Sequence, residues 1–168
     1  SYGSGIVVEG AGFLLNNEMD DFSAKPGVPN AYGLIGGESN RIQPGKRMLS
    51  SMSPTIVKKQ GKNMLVVGSH GGSRIITTTL QVIMNVVDHG LNIQSAVNAP
   101  RIHHQWFPDE IRVEEGISPD TVLLLRQMGH TVKQKRAMGA IQGILIDDNG
   151  NLYGGADPRR STSSAMGH

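Results

Sequence analysis

The segment Met64-Leu-Val-Val-Gly-Ser-His-Gly-Gly-Ser-Arg74 joins an apolar, strand-type run to a helical pattern through two adjacent glycines. Gly71 and Gly72 have no side chains, so their backbone N–H groups can approach a ligand closely, and the following helix adds its positive N-terminal end. Such donors suit an anion, including the oxyanion of an acyl-transfer intermediate. Read alone, the pair equally makes a tight strand-to-helix turn. The Walker and dinucleotide glycine patterns are absent, so the segment does not indicate a nucleotide phosphate. In Asn16-Asn-Glu-Met-Asp-Asp-Phe22, Glu18 and Asp21 are three apart and face the same way on one helical turn. They can grip an ammonium group or a cation, or form a solvated acidic turn; the spacing is not that of a calcium loop. Leu49-Ser-Ser-Met-Ser-Pro54 offers the Ser50 and Ser51 hydroxyls to a carboxylate, although serine before proline is also ordinary turn chemistry. No Gly-x-Ser-x-Gly elbow is present. His103-His104, near Trp106, Asp109 and Glu110, matches neither helical zinc spacing and reads as a packed or hydrogen-bonded pair beside a strand. No metal site is expected.

The elements that must position these residues are legible in outline. Ser4–Glu9 and Phe13–Leu15, with Gly10-Ala11-Gly12 between, suggest a hairpin. Pro26–Gly37 has too many breakers for a regular element and too many apolar residues for a linker, which makes it a candidate mobile loop or lid. Thr55–Lys58 and Met64–Val67 form a second expected hairpin, joined by the five residues 59–63. Ile76, Leu80, Ile83, Met84 and Val87 define the expected apolar face of a helix that Gly90 can terminate. Ser118 as N-cap, Pro119 at the first helical position and Gly129 beyond the end predict a helix from Pro119 to about Met128, with Ile117 stapled to Val122. Thr131–Lys133 and Ile141–Ile146 read as strands, and Asp148-Asn149-Gly150 turns the second into Leu152-Tyr153. The tail 160–168 has no apolar pattern and is expected to fray. His89, His130 and His168 adjoin glycines and read as surface residues. Paired strands followed by helices predict an α+β class.

Composition bounds the rest. A chain of 168 residues with 38% hydrophobic and 18% charged residues is expected to form a single globular domain. Sixteen Lys and Arg against fourteen Asp and Glu exclude binding of nucleic acid by bulk charge. Without cysteine there is no disulfide, thiolate nucleophile or cysteine-based metal site. No apolar run approaches the roughly 20 residues of a membrane helix, and no signal-peptide pattern opens the sequence. Twenty-two glycines and eight prolines against seven aromatic residues place the chemistry in turns and loops.

Taken in order, Leu15-Asn-Asn-Glu-Met-Asp-Asp-Phe-Ser23, Lys25-Pro-Gly-Val-Pro-Asn30, Leu49-Ser-Ser-Met-Ser-Pro-Thr55, Gly71-Gly-Ser-Arg-Ile-Ile76, Ala99-Pro-Arg101 and Asp157-Pro-Arg159 resemble the small subunit of the γ-glutamyltranspeptidases. The resemblance covers nearly the whole chain. It implies an αββα sandwich of the N-terminal nucleophile hydrolase type, completed by a large subunit from the same precursor, a periplasmic or secreted location, and no cofactor. The implied reaction moves the γ-glutamyl group of glutathione to water or to an amino-acid or peptide acceptor. By the same resemblance, Glu18 and Asp21 hold the substrate α-ammonium and Ser50 and Ser51 its α-carboxylate. Gly71 and Gly72 form the oxyanion hole, and 26–37 is the lid with Tyr32 as its gating aromatic.

The departures concern the start of the chain and two loop positions. The family's small subunit begins with a nucleophilic threonine, whereas this sequence begins Ser1-Tyr2-Gly3-Ser4, which resembles a segment downstream of that threonine. No nucleophile is assigned in this chain, and a catalytic Ser1 is not favoured. The family's carboxylate-binding arginine belongs to the large subunit. His70 and Met48 stand where the family commonly has proline; His70 adds a backbone donor and a titratable ring beside the glycines. Two alternatives follow: a sister amidase, such as a cephalosporin acylase or poly-γ-glutamate depolymerase, or a non-catalytic glutamyl-binding fragment. The lid disfavours the first, because several relatives acting on bulky substrates lack one.

Overall fold

A computed structural model describes residues 3–30 and 32–167. Ser1, considered above as an N-terminal nucleophile, and His168 lie outside the described residues. The chain forms two compact units, Ser1–Ser51 and Met52–His168.

In the first unit, local polar bonds fix the chain where regular elements do not. The expected first hairpin is a single antiparallel bridge, Val7 to Leu14, flanked by Ser4 N–H to the Leu15 carbonyl (3.0 Å) and Val8 N–H to the Phe13 carbonyl (2.9 Å). No strand develops, because Ile6, Val7, Phe13, Leu14 and Leu15 are all exposed and no face is buried. Phe22 is the buried anchor, with the Lys46 ammonium 6.0 Å from its ring centroid. Asn40 ties this region together: its Nδ2 donates to the Asp21 carbonyl (2.7 Å), and its own carbonyl accepts from Ser23 N–H (2.9 Å).

The second unit is built on the antiparallel sheet β1 (Thr55–Lys59), β2 (Lys62–His70), β6 (Ala140–Ile146) and β7 (Leu152–Ala156), in that order. The β1–β2 connection is two residues long, with Gln60 (φ 50) and Gly61 (φ 80) both left-handed, and not the five expected. Lys59, Lys62 and Asn63 are polar but keep their ladder partners, and a register shift after Val57 absorbs the odd residue. Beyond β7, the described residues of the tail carry no regular element; Ser163 Oγ accepts from Gln142 Nε2 (2.9 Å).

Helix α1 (Arg74–Val87) and the short α2 (Ile93–Asn98), which the sequence reading missed, pack on this sheet. The buried face of α1 is Ile75, Thr78, Thr79, Val82 and Val86, not the face expected. Ile76, Leu80, Met84 and Val87 are exposed, because a reading by hydrophobicity passes over the two threonines on the side that meets the sheet. Gly90 (φ 65) ends the helix as expected, with Leu91 N–H closing back on the Asn85 carbonyl (2.9 Å). Leu65, Val67, Val82, Val86, Ile93, Ala96, Val97 and Ile141 form the core. Gly143 admits Ile93 to it, since a Cβ there would lie 2.7 Å from Ile93 Cδ1.

A second sheet runs β3 (Ile102–His103), β4 (Ile111–Glu114) and β5 (Val132–Lys135). β3 and β4 are antiparallel, whereas β4 and β5 are parallel and joined through α3 (Pro119–Gln127). α3 occupies the expected span, but the Ser118 side chain makes no capping bond. The α+β class is the one observed. Replacing Leu65, fully buried between β2 and the helices, with alanine is expected to lower the unfolding free energy by roughly 2–5 kcal/mol, measured as a shifted denaturant midpoint at constant slope.

Candidate active site

The glycine turn is the best-defined feature. β2 ends at His70, paired with Ala140, and the chain then turns through Gly71 (φ 140) and Gly72 (φ 60) into α1. Both backbone conformations favour glycine. The Gly71 carbonyl accepts from Arg74 N–H (3.3 Å) and the Gly72 carbonyl from Ile75 N–H (3.0 Å), so the carbonyls face into the helix start. Among the described residues, no acceptor is recorded for the Gly71 or Gly72 N–H groups. Gly71 lies against Gly139: a Cβ on Gly71 would sit 3.0 Å from Gly139 Cα. Gly139 (φ 68) is itself walled by Thr78, whose Oγ1 would be 2.6 Å from a Cβ there. Next to the turn is an open recess of about 290 Å³ lined in part by Ser53, Ser69, His70 and Gln142. The exposed His70 thus borders that recess.

Glu18 and Asp21 open and close one 3₁₀ turn, in which residues three apart eclipse. Asn16 Oδ1 accepts from Glu18 N–H (3.0 Å), setting the start of the turn. Asp21 Oδ2 is buried and has no hydrogen-bond partner among the described residues. An ammonium donor would satisfy it. Ser50 and Ser51 are exposed in an irregular stretch, and Tyr32 is half-exposed at the tip of the 26–37 loop. That loop is a tight hairpin with a Pro29–Ile35 bridge, and Asn30 Oδ1 accepts from both Tyr32 N–H (2.9 Å) and Leu34 N–H (3.0 Å). Glu18, Asp21, Tyr32, Ser50 and Ser51 belong to the first unit, Gly71 and Gly72 to the second.

The two histidines part company. His104 is exposed and meets Asp109 at 3.0 Å. His103 is buried on β3, with Nδ1 2.8 Å from Thr77 Oγ1 and Nε2 2.9 Å from Gln105 Oε1. Because Gln105 Oε1 can only accept, the network assigns the ring proton to Nε2 and makes Nδ1 the acceptor from Thr77. Burial pushes the His103 pKa below its ordinary value of 6.5, and the nearby Arg112 and Arg74 act in the same direction. No group of three or more histidine or carboxylate side chains able to hold a metal occurs among the described residues. No helix among them is long and apolar enough to cross a membrane.

The sequence reading assigned no role to a buried charge cluster that fixes the wall behind the turn. Arg101 Nη2 donates to Asp157 Oδ2 (2.7 Å), and the Arg159 guanidinium pairs with Glu114 and Asp157. Glu114 Oε1 also accepts from Met138 N–H (2.6 Å), while Arg101 Nη1 donates to the Met138 carbonyl (2.9 Å). Burial alone would raise the Asp157 pKa, but bonds from Arg159 N–H, Ile141 N–H and the Arg101 guanidinium hold it below the ordinary carboxylate value. Arg101 and Arg159 were visible only as parts of two Pro-Arg motifs. Glu114 was hidden inside a strand.

Solved structures place this fold first by class and then by family. Cephalosporin acylase from Bacillus halodurans is similar over 99% of this chain and 30% of that one, with a TM-score of 0.79 at 30% identity, which places the fold among the N-terminal nucleophile hydrolases. A Helicobacter pylori γ-glutamyltranspeptidase mutant is similar with a TM-score of 0.88 at 57% identity, over 95% of this chain and 88% of that chain. The glutathione hydrolase proenzyme of Escherichia coli K12 is 59% identical over all of this chain. The family model for γ-glutamyltranspeptidase matches residues 1–167. The chain belongs to the γ-glutamyltranspeptidase family, and it spans 29% of the length of the Escherichia coli relative.

The titration of this region should be visible in stability. His103 binds its proton more weakly folded than unfolded, so its contribution is complete above about pH 6.5 and declines as the pH falls through that value. Glu110 is held at about 2 by Lys133 and Arg112, so its contribution is present above 4.5 and is lost as the pH falls from there toward 2. Unfolding free energies measured across this range should show both declines, and His103→Gln should remove the first alone.

Proposed function

We propose that this chain is the small-subunit part of a γ-glutamyltransferase and glutathione hydrolase, acting with a large subunit from the same proenzyme after autoproteolytic processing and located in the periplasm or secreted. The observation that carries the reading is the Gly71–Gly72 turn, whose N–H groups lack acceptors among the described residues, at the start of a 14-residue helix. In the proposed reaction a nucleophile, not assigned to any residue of this chain, adds to the γ-carbonyl carbon of glutathione or another γ-glutamyl amide. The carbonyl oxygen becomes an oxyanion that Gly71 and Gly72 stabilise. Collapse breaks the C–N bond, the amine leaves with a proton, and a γ-glutamyl-enzyme remains. Water or the amine of an amino acid or peptide then attacks it through a second oxyanion at the same donors, whose collapse breaks the bond to the enzyme nucleophile, returns it with a proton and releases glutamate or the new γ-glutamyl amide.

Substrate orientation is assigned to the other residues. Glu18 and Asp21 take the α-ammonium, Ser50 and Ser51 the α-carboxylate, and the loop 26–37 with Tyr32 covers the bound group. Gripping both charged ends of the glutamyl unit leaves the γ-carbonyl as the group free to react, so binding also orients. The exposed apolar side chains of the first unit, such as Phe13 and Leu15, and of α1, such as Ile76 and Leu80, support a second chain that covers them. The 59% identity to a glutathione hydrolase proenzyme, against 30% to the acylase, favours this reading over a sister amidase.

Hydrolysis of a γ-glutamyl anilide by the native protein, with intact-mass analysis of its chains, tests the proposal; the expected result is turnover by a protein that separates into two chains on denaturation. Asp21→Ala is expected to lose roughly 2–5 kcal/mol of γ-glutamyl binding, about 30-fold or more in kcat/KM. Unchanged kcat and KM would remove Asp21 from the site.

A further inference from the structure

The inference concerns Ser73 and rests on the reading of Gly71 and Gly72 as the oxyanion hole. A serine at a helix N-cap ordinarily takes an extended backbone and turns its hydroxyl back onto the N–H groups of the first turn. Ser73 does neither. It has φ −54 and ψ −24, and its side chain makes no capping bond. Instead, Ser73 Oγ donates to Gln105 Oε1 at 2.8 Å. Gln105 is held in turn: its Oε1 accepts from His103 Nε2 (2.9 Å) and its Nε2 donates to the Phe107 carbonyl (3.0 Å). Two further residues on the same face of α1 extend the seam. Thr77 meets His103 Nδ1 at 2.8 Å, and Gln81 makes two bonds to the Ile102 backbone, each 2.9 Å. Residues 73, 77 and 81, four apart, thus pin one face of α1 to β3 and the residues after it.

We propose that Gln105, oriented by the buried His103, is a positioning residue that keeps the Ser73 hydroxyl away from its own helix, so that the helix start and the glycine turn stay open to an anion. Releasing Ser73 would let it adopt the capping geometry. That change swings the Ser73–Arg74 peptide, breaks the Arg74 N–H bond to the Gly71 carbonyl that holds the glycine turn, and sets a hydroxyl oxygen where the anion belongs. The cost falls on the oxyanion and not on the bound glutamyl group, whose charged ends are assigned to other residues.

The test uses the full-length native protein and two probes: L-glutamate, which lacks a tetrahedral centre, and the γ-boronic acid analogue, which supplies one. Gln105→Leu is expected to lower kcat on a γ-glutamyl anilide and affinity for the boronate by about 10²-fold, the order seen when one oxyanion donor is lost, with glutamate affinity unchanged. Adding Ser73→Ala, which cannot cap, is expected to restore most of both. Wild-type boronate affinity in Gln105→Leu, or a loss that Ser73→Ala does not reverse, overturns the proposal. Failure of the unmodified protein to bind the boronate more tightly than glutamate instead overturns the oxyanion reading beneath it.

Discussion

Three buried charges, Arg101, Glu114 and Asp157, and the partly buried Arg159 hold together the parts of the second unit that secondary structure leaves unpaired. The end of α2, the approach to β6 and the turn after β7 are irregular, and each buries backbone groups that no ladder satisfies. The cluster supplies their partners. The Val97 carbonyl accepts from both guanidinium groups, and the Ala99 carbonyl accepts from Arg159. Arg101 N–H and Met138 N–H donate to Glu114, while Ile141 N–H and Arg159 N–H donate to Asp157. Two cations and two anions cancel, so no net charge is buried, and most of the remaining bonding capacity goes to main chain. An apolar replacement of the same volume would spare the desolvation cost but strand those backbone groups. That is why a set of ions is kept here. The consequence reaches the candidate site, because Met138 leads into Gly139, the surface against which Gly71 turns.

The same logic explains why α1 is unusual as a helix. One side, with Ile75, Val82 and Val86, belongs to the core; a second, with Ser73, Thr77 and Gln81, bonds to β3 and its flank. A third carries exposed Ile76, Leu80, Met84 and Val87. Three sides with three solvents leave little freedom for the helix to rotate or slide. Its N-terminus is therefore fixed by packing, by the polar seam and by the Gly139 wall at once. A site that depends on the direction of two N–H groups needs that degree of constraint.

Much of this could be read from residues alone, and the failures have physical causes. The Gly-Gly turn into a helix, the eclipsed pair Glu18 and Asp21, the span of α3 and the Asp148-Asn149-Gly150 turn rest on local stereochemistry, which spacing reports faithfully. The buried face of α1 does not, because Thr78 and Thr79 are buried by what they meet and not by their own polarity. β3 and β4 were missed because short strands beside Trp106 and Pro108 have no alternation long enough to detect. The charge cluster joins residues as far apart as Arg101 and Asp157, and no local pattern encodes such a pairing. His103 was placed correctly in kind, as a hydrogen-bonded histidine, but its link to Ser73 depends on tertiary contact.

The acidic turn of the first unit and the glycine turn of the second have a common chemical character, since each leaves hydrogen-bonding groups without a protein partner among the described residues. Asp21 presents a buried acceptor without a donor, and the glycine turn presents donors without acceptors. An ammonium group would satisfy the first, and a polarised carbonyl oxygen the second. Within each unit the surrounding network explains how these groups stay unmet. The Asn40 side chain bonds the Asp21 carbonyl and leaves the carboxylate alone, while Gln105 takes the Ser73 hydroxyl away from the helix. In each turn a neighbouring side chain thus occupies a group that would otherwise close it.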